Sequence, residues 1–522
     1  MDKPINESAV SWWGMTVRML GLLLVSALVG YLAQGKLNLG LVPAVAIGLS
    51  IFGVSLFALL QLKGAPKEVG FTFGLKFLSV TAYKILNITL VLWLANDMGL
   101  SKESALALIA GWSIVMSLMT LIAGSITDAL GLRRTLLIGV GFCVVTRLVM
   151  VVATEPWVAL VCGLFPLALG EALCTPVLVA ALRRYSPPSQ RSVAFSLFYA
   201  LMNLGFMVAY FIFDGVRESL RTGSGMNLPL MDARLSDYRV LLLVSFAIEC
   251  LMFPLILLLG RSEKEIEADA VKRTVVGSVS HACGEIVGLF GGLVKQAGFY
   301  RLLIFLFMIG FLKVVFNVMD YVLPPFALQE LGPEARVGRF NAINGILILL
   351  LAPVVGVLTR KYSAYSMVIL GGFITACSFV FMALPATAFQ GMADGWMGKV
   401  IGNGYMELKG VVHPYYVMIV LWQVLFSVGE AFYSPRVYEY AASIAPKGQE
   451  ASYASLSYVP LLIGKLITGA AFGGLLAKYC PEEGPRNSGM MWLIIGLMVF
   501  VAPMGLLIFR KYIRVKEEGR GE

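Results

Sequence analysis

Apolar runs of about twenty residues, separated by short polar or charged breaks, follow one another along almost the whole chain. Each is long enough to cross a hydrocarbon core of roughly 30 Å as a helix, which needs about 20 residues. Fourteen spans can be marked. Two come first, at about 11–33 and 41–62. Twelve follow, numbered here as core helices 1 to 12: about 73–96, 104–127, 135–153, 157–181, 193–214, 239–260, 300–326, 338–359, 365–385, 414–440, 452–477 and 489–510. They divide six and six around a charged stretch beginning Arg261-Ser262-Glu263-Lys264. The pattern therefore predicts an all-α polytopic membrane protein in four parts. Residues 1–70 hold the two extra N-terminal transmembrane helices, 71–260 an N-terminal six-helix bundle, 261–299 a cytoplasmic linker, and 300–522 a C-terminal six-helix bundle with a cytoplasmic tail. Within the linker, residues 278–297 (SVSHACGEIVGLFGGLVKQA) are apolar on one side and Gly-rich, the pattern of a surface helix. A spanning helix there would invert the second half and spoil its charge pattern.

Composition supports this reading. Hydrophobic residues make up 58% and charged residues only 14% of the 522, with mean hydropathy +0.83, whereas soluble domains carry about 25% charged residues. The net charge of +10 raises the question of nucleic acid, but Lys and Arg sit mainly in short loops rather than on one amphipathic face, so no nucleic-acid partner is expected. Their placement gives orientation instead. Arg133 and Arg134 follow core helix 2; Arg183, Arg184 and Arg191 follow core helix 4; Arg360 and Lys361 follow core helix 8; Arg510, Lys511, Arg514 and Lys516 form the tail. All fall on one side if the helices alternate, and that side should be cytoplasmic. Both termini are then cytoplasmic, with the loops at about 215–238 and 386–413 facing out. The start, MDKPINES, lacks a basic leader pattern and reads as retained. Seven scattered cysteines without CxxC spacing read as small buried hydrophobes, and His281 and His413 both fall in loops. Neither a metal site nor a cofactor is expected.

Residues 124–135, GSITDALGLRRT, lie between core helices 2 and 3. The glycines permit a tight turn and close helix approach, Asp128 can cap or pair across a gap, and Arg133 and Arg134 can anchor at lipid headgroups. Read alone, this is also compatible with an ordinary basic loop. The stretch resembles the loop pattern G-x-x-x-D-x-x-G-x-R-R of major facilitator transporters, and it lies where that family has it. A weaker counterpart, GVLTRK at 356–361, sits at the equivalent place in the second half, as expected of an internal repeat. Two further stretches resemble the proton-dependent oligopeptide transporters: RSVAFSLFYALMNLG at 191–205, similar to F-S-x-x-Y-x-x-x-N-x-G, and Gly429-Glu430 leading to Ser434-Pro435 and Ala445-Pro446, similar to G-E-x-x-x-S-P and A-P. Leu90–Leu94 with Gly99 to Ser101 is a looser match. The chain also departs from that family. Aligned on Leu90–Leu94, the E-x-x-E-R of its first core helix is replaced by Lys76, Ser79 and Val80, followed by Tyr83 and Lys84. The resemblance implies a major facilitator fold in a divergent relative.

Charge at membrane depth costs about 2.5–3.5 kcal/mol per residue on insertion scales, so each such residue is a functional candidate. Near mid-span lie Lys84, Arg147, Glu171, Glu249, Lys313, Asp320, Glu430 and Lys465, four basic and four acidic. The balance predicts mutual pairing around a polar cavity. Asp320 follows Lys313 by seven residues, two turns on and on one helix face. With no histidine in the spans, proton coupling must run through carboxylates: Glu430, which matches the family's G-E, then Asp320 and Glu171. Lys84 and Lys313 are candidate anchors for a substrate carboxylate or other anion, and Tyr83, Tyr199 and Asn203 candidate polar groups of the same cavity. Asp128, Arg133 and Arg134 are the candidate gate. The structural alternatives are a helix-locking Arg147–Glu249 pair, a permanent bridge from Glu430 to Lys465 that only holds core helices 10 and 11 together, and interhelical hydrogen bonds from Tyr199 and Asn203.

No GxxxxGK[ST] loop is present, so an ion gradient is the expected driving force. The expectation is a non-enzymatic, monomeric, multi-pass protein of a bacterial inner membrane, with lipids, protons and a small-molecule substrate as partners. It would move small peptides or related polar solutes by proton-coupled alternating access. An exporter or flippase of amphiphilic drugs or lipids is the alternative, and a non-transporting sensor the third class.

Overall fold

The computed structural model describes residues 65–186, 191–221, 226–227, 234–259, 297–359, 362–444 and 459–514, with six isolated helical positions between 45 and 56. The remainder of the two leading spans and the surface helix expected at 278–297 lie outside the described residues.

Among the described residues, twelve long helices follow from residue 67: α1 (Lys67–Asn96), α2 (Lys102–Leu130), α3 (Leu132–Val152), α4 (Phe165–Tyr185, entered through a π-helical turn, Ala159–Leu164), α5 (Arg191–Arg221) and α6 (Asp237–Leu258). Then come α7 (Ala297–Asn317, a π-helical turn Val318–Val322, and Leu323–Leu331), α8 (Val337–Leu358), α9 (Ala364–Ala383), α10 (Pro414–Ile444), α11 (Val459–Tyr479) and α12 (Ser488–Ile508). In lipid every backbone N–H and C=O must be satisfied internally, so apolar runs of this length close into helices. Among the described residues, ten helices are long and apolar enough to cross a membrane. The chain is an integral multi-pass membrane protein. Helix starts are set by short polar residues: Ser101, Ser236, Ser363 and Asn487 each accept a hydrogen bond from a backbone N–H of the first turn of α2, α6, α9 and α12.

The helices pack as two six-helix bundles. In the first, α1 lies against α5 and α6, α3 against α4 and α6, and α2 against α4. In the second, α7 lies against α11 and α12, α9 against α10 and α12, and α8 against α10. The bundles meet along two seams, α5 on α8 and α2 on α11. Lipid tails are as apolar as leucine, so close packing rather than water exclusion holds such helices. The second bundle is anchored by an aromatic cluster, with Phe326 5.1 Å and Trp422 5.4 Å from the ring of Trp492. Val145, Val161, Leu350 and Leu358 are exposed, as befits side chains that would face lipid.

The stretch after α9, expected as an outward loop at 386–413, carries short turns of its own and a π-helical segment, Lys399–Tyr405. It folds back onto the start of α8: the buried Arg339 donates to the Tyr405 carbonyl at 2.8 Å and pairs with Glu407 at 2.9 Å. Between α5 and α6, Met226–Asn227 and Arg234–Leu235 form a two-residue antiparallel pair.

Candidate functional site

The centre of the site is an ion pair that crosses between the bundles. Lys84 of α1 meets Asp320 of α7 at 2.7 Å, with both side chains almost fully buried. Phe206 and Tyr210 of α5 cover the ammonium at 4.7 and 5.3 Å, and the Tyr210 hydroxyl donates to the second Asp320 oxygen at 3.3 Å. The Tyr321 hydroxyl also donates to the Asn87 side-chain oxygen, a second α7-to-α1 link. Asp320 reaches α1 because α7 is locally underwound there. Pro324 and Pro325 carry no N–H to donate back to the carbonyls of Asp320 and Tyr321, and the ladder loosens into the π-helical turn Val318–Val322.

That turn corrects one expectation. In a regular helix Lys313 and Asp320 would share a face; here they serve different neighbours. Lys313 turns to α10, donating to the Ser434 hydroxyl at 3.3 Å and lying 5.2 Å from the ring of Tyr433. Glu430 is on the same part of α10, one turn before Ser434. It accepts from Asn344 of α8 at 2.7 Å, and Asn344 also donates to Ser427 at 3.0 Å. Among the described residues no cation lies within ion-pair distance of Glu430. The alternative of a permanent Glu430–Lys465 bridge is not seen; Lys465 stands over the Trp112 ring of α2, at 5.8 Å.

Glu171 sits in a separate cluster inside the first bundle. Arg147 of α3, fully buried, pairs with Glu171 of α4 at 2.5 Å and with Glu249 of α6 at 3.4 Å, and donates to Ser245 at 2.9 Å. Ser245 passes the network on to the Ala82 carbonyl of α1 at 2.8 Å. One guanidinium therefore ties four helices. Lys76, standing where the resemblance expects an acidic residue, is buried over the Phe198 ring at 4.8 Å. Of the remaining candidates, Tyr83 is half-buried on α1 and its carbonyl accepts from Asn87 at 3.0 Å. Asn203 is buried and donates to the Tyr199 carbonyl at 3.0 Å, while Tyr199 packs on Ile348, Val355 and Ala431 of the second bundle.

The candidate gate lies at the α2–α3 turn. Asp128 is in the last turn of α2, Gly131 takes φ +85 as the joint between the helices, and Arg133 and Arg134 stand half-buried in the first turn of α3. Only glycine adopts that backbone conformation without strain.

Sequence reasoning missed the opposite end of the molecule. Asp214, at the expected edge of core helix 5, accepts from the backbone N–H groups of Gly338 and Arg339 at 2.8 and 2.6 Å, capping α8 from α5. Carboxylates are favoured at a helix N-terminus, where unpaired N–H groups and the helix dipole converge. Arg336 pairs with Glu218 at 3.2 Å, and Arg217 donates to the Pro333 carbonyl at 3.3 Å. On the second seam Lys102 of α2 pairs with Glu482 beyond α11 at 2.8 Å and holds that carboxyl below its usual range. Both seams are thus fastened on the side away from the Arg133–Arg134 turn. The signal available in the sequence was the run of charges at 214–218, read there as the start of a loop.

A family model described as Major Facilitator Superfamily matches residues 72–408. A search of curated protein sequences gave no match. Among solved structures, the fold is similar to a peptide transporter POT in complex with sulfate, at 18% identity and TM-score 0.62, covering 86% of this chain and 95% of that one. It is similar as well to a POT family transporter in complex with 5-aminolevulinic acid, at 17% identity and TM-score 0.62, covering 86% and 97%. A third is a POT family transporter in complex with a thioalcohol-conjugated peptide, at 16% identity and TM-score 0.63, covering 87% and 100%.

Proposed function

The chain belongs to the Major Facilitator Superfamily and is a transporter rather than an enzyme, and on that premise we propose that it carries small peptides or related polar solutes by proton-coupled alternating access. The observation that carries this reading is the buried Lys84–Asp320 pair, which joins the two bundles at the centre of their interface. A pair that spans two moving bodies is released when either charge is removed. Protonation of Asp320, or capture of Lys84 by a substrate carboxylate, leaves the bundles free to rock about the midplane. Glu430 is the second proton-accepting group: one hydrogen bond from Asn344 holds it, and among the described residues no cation is paired with it. Glu171, held by Arg147 within one bundle, responds through that bundle's packing and comes third. Lys313 and Lys84 are the anchors for an anionic substrate group, and Tyr83, Tyr199 and Asn203 contribute polar contacts nearby.

In this reading the state described is closed on the outer side, where Asp214 caps α8 and Lys102 meets Glu482. Asp128, Arg133 and Arg134 form the cytoplasmic gate, with the termini on the same side. The likeness in fold to peptide transporters supports the peptide-like substrate class. The test is substrate-dependent proton uptake by proteoliposomes, read with a pH-sensitive dye across a panel of di- and tripeptides and amphiphilic cations. Proton entry with peptides supports the reading. Proton exchange driven only by amphiphiles moves the chain to the exporter class, and silence with every compound removes transport by this route.

A further inference from the structure

The π-helical turn of α7 deprives one buried carbonyl of its main-chain donor. In a regular helix the Met319 carbonyl would accept from the N–H of Leu323, and in a π-helical ladder from that of residue 324. The Leu323 N–H is turned to the Val318 carbonyl instead, and Pro324 has no N–H to give. Met319 is buried, away from solvent. The missing donor comes from another helix: the Asn341 side chain of α8 donates to the Met319 carbonyl at 2.7 Å. A carbonyl can only accept, so Asn341 must present its NH2 group there, which leaves its oxygen for a donor. Gln423 of α10 supplies that donor, at 3.0 Å from Asn341 Oδ1. Asn341 and Gln423 are both fully buried.

Met319 immediately precedes Asp320, whose carboxylate meets Lys84 of the other bundle at 2.7 Å. The direction in which Asp320 leaves α7 is set by the turn, and a buried carbonyl in that turn needs a partner. We propose that Asn341, oriented by Gln423, is a positioning residue for the central ion pair: it completes the π-helical turn of α7 and so aims Asp320 at Lys84. The proposal rests on the reading of that pair as the link between the bundles. Asn341, Gln423 and the turn all belong to the second bundle, so that bundle alone sets the aim of Asp320. Without Asn341 the Met319 carbonyl regains a partner by taking back the N–H of Leu323. That shift returns the ladder towards regular helix and rotates Asp320 towards the face of Lys313.

The experiment uses the purified full chain in detergent, without substrate, and reads the thermal unfolding midpoint. Lys84→Met, Asp320→Asn and their combination are compared in the parent and in Asn341→Ala. In the parent the double variant should lose less than the two single shifts added. In Asn341→Ala that non-additive part should fall by about half or more, because an Asp320 turned away from Lys84 no longer acts on it. A role confined to holding helices together would lower every midpoint by a like amount and leave the non-additive part unchanged. That result overturns the proposal. Gln423→Leu removes the donor that orients Asn341 and should reduce the non-additive part in the same direction, to a smaller extent. Should Asn341→Ala fail to fold, an unchanged non-additive part in Gln423→Leu overturns the proposal equally. Strict additivity in the parent is a separate failure: it removes the central pair itself, and the proposal with it.

Discussion

Gly338→Ala should pry the outer seam open. A Cβ at this position would lie 1.9 Å from the Tyr210 carbonyl oxygen and 3.0 Å from the Asp214 carboxyl carbon, where ordinary contacts begin near 3.4 Å. Neither obstacle is the end of a flexible side chain that can swing away: one is helix backbone and the other is fixed by two hydrogen bonds to α8. The helices must part by about 1.5 Å, and the two N–H bonds that Asp214 accepts lengthen with them. Overpacking of this kind costs about 1–3 kcal/mol. If only the closed state pays it, the closed-to-open ratio falls roughly 5- to 150-fold. The assay is cross-linking across the same seam with a bifunctional thiol reagent of the span of the lost Arg–Glu pair, in a cysteine-depleted background carrying Glu218→Cys and Arg336→Cys, whose parent side chains meet at 3.2 Å. The yield should drop several-fold when Gly338→Ala is added, while the protein stays folded by size-exclusion chromatography. An equal yield, together with an unchanged unfolding midpoint, would show that α5 and α8 do not pack as closely as described, and the closed-seam reading would fall with it.

Arg147→Met should lower stability by about 3–5 kcal/mol, because it leaves two buried carboxylates without their cation; adding Glu171→Gln and Glu249→Gln should recover part of the loss in thermal unfolding. A single mutant as stable as the parent would remove the role of Arg147 as the lock of the first bundle. For the central pair, Lys84→Met and Asp320→Asn should each impair stability and uptake, and the double mutant should lose less than the two effects added, with a coupling of about 0.5–3 kcal/mol. Strict additivity would mean that the two side chains do not act on each other.

The helices were readable from the sequence because the bilayer imposes their length. Core helix 3, expected at 135–153, is observed as Leu132–Val152, and core helix 8, expected at 338–359, as Val337–Leu358. Core helix 5 was cut short at 214 because charges follow, yet the observed helix continues to Arg221. Those charges are the fastening of the seam, where water-exposed helix ends tolerate them. Most of the charges inside the spans could be named in advance, since polarity inside an apolar run stands out residue by residue; Lys76 and Arg436, nearer the helix ends but also buried, were not counted among them. Their pairing could not. Asp320 leaves the face of Lys313 through a π-helical turn that depends on Pro324 and Pro325, and Lys465 leaves Glu430 for Trp112 because partner choice depends on how two distant helices rotate about each other. Asp214 was overlooked for the same reason: its partners are backbone N–H groups some 120 residues away, and main-chain donors leave no mark on a sequence.

Accumulation of substrate against its gradient tests the central claim most directly. Proteoliposomes containing the parent chain or Glu430→Gln are loaded at equal pH and then given an inward proton gradient, with labelled substrate outside. Exchange of labelled for unlabelled substrate is measured in parallel without any gradient. Glutamine keeps the shape of the protonated carboxyl and can retain the contact with Asn344, so exchange should continue. Concentrative uptake driven by the pH gradient should fall to the exchange level. Full proton-driven accumulation in Glu430→Gln would contradict the account as it concerns this residue, and its persistence in Asp320→Asn as well would leave no proton-coupled mechanism built on the bundle interface.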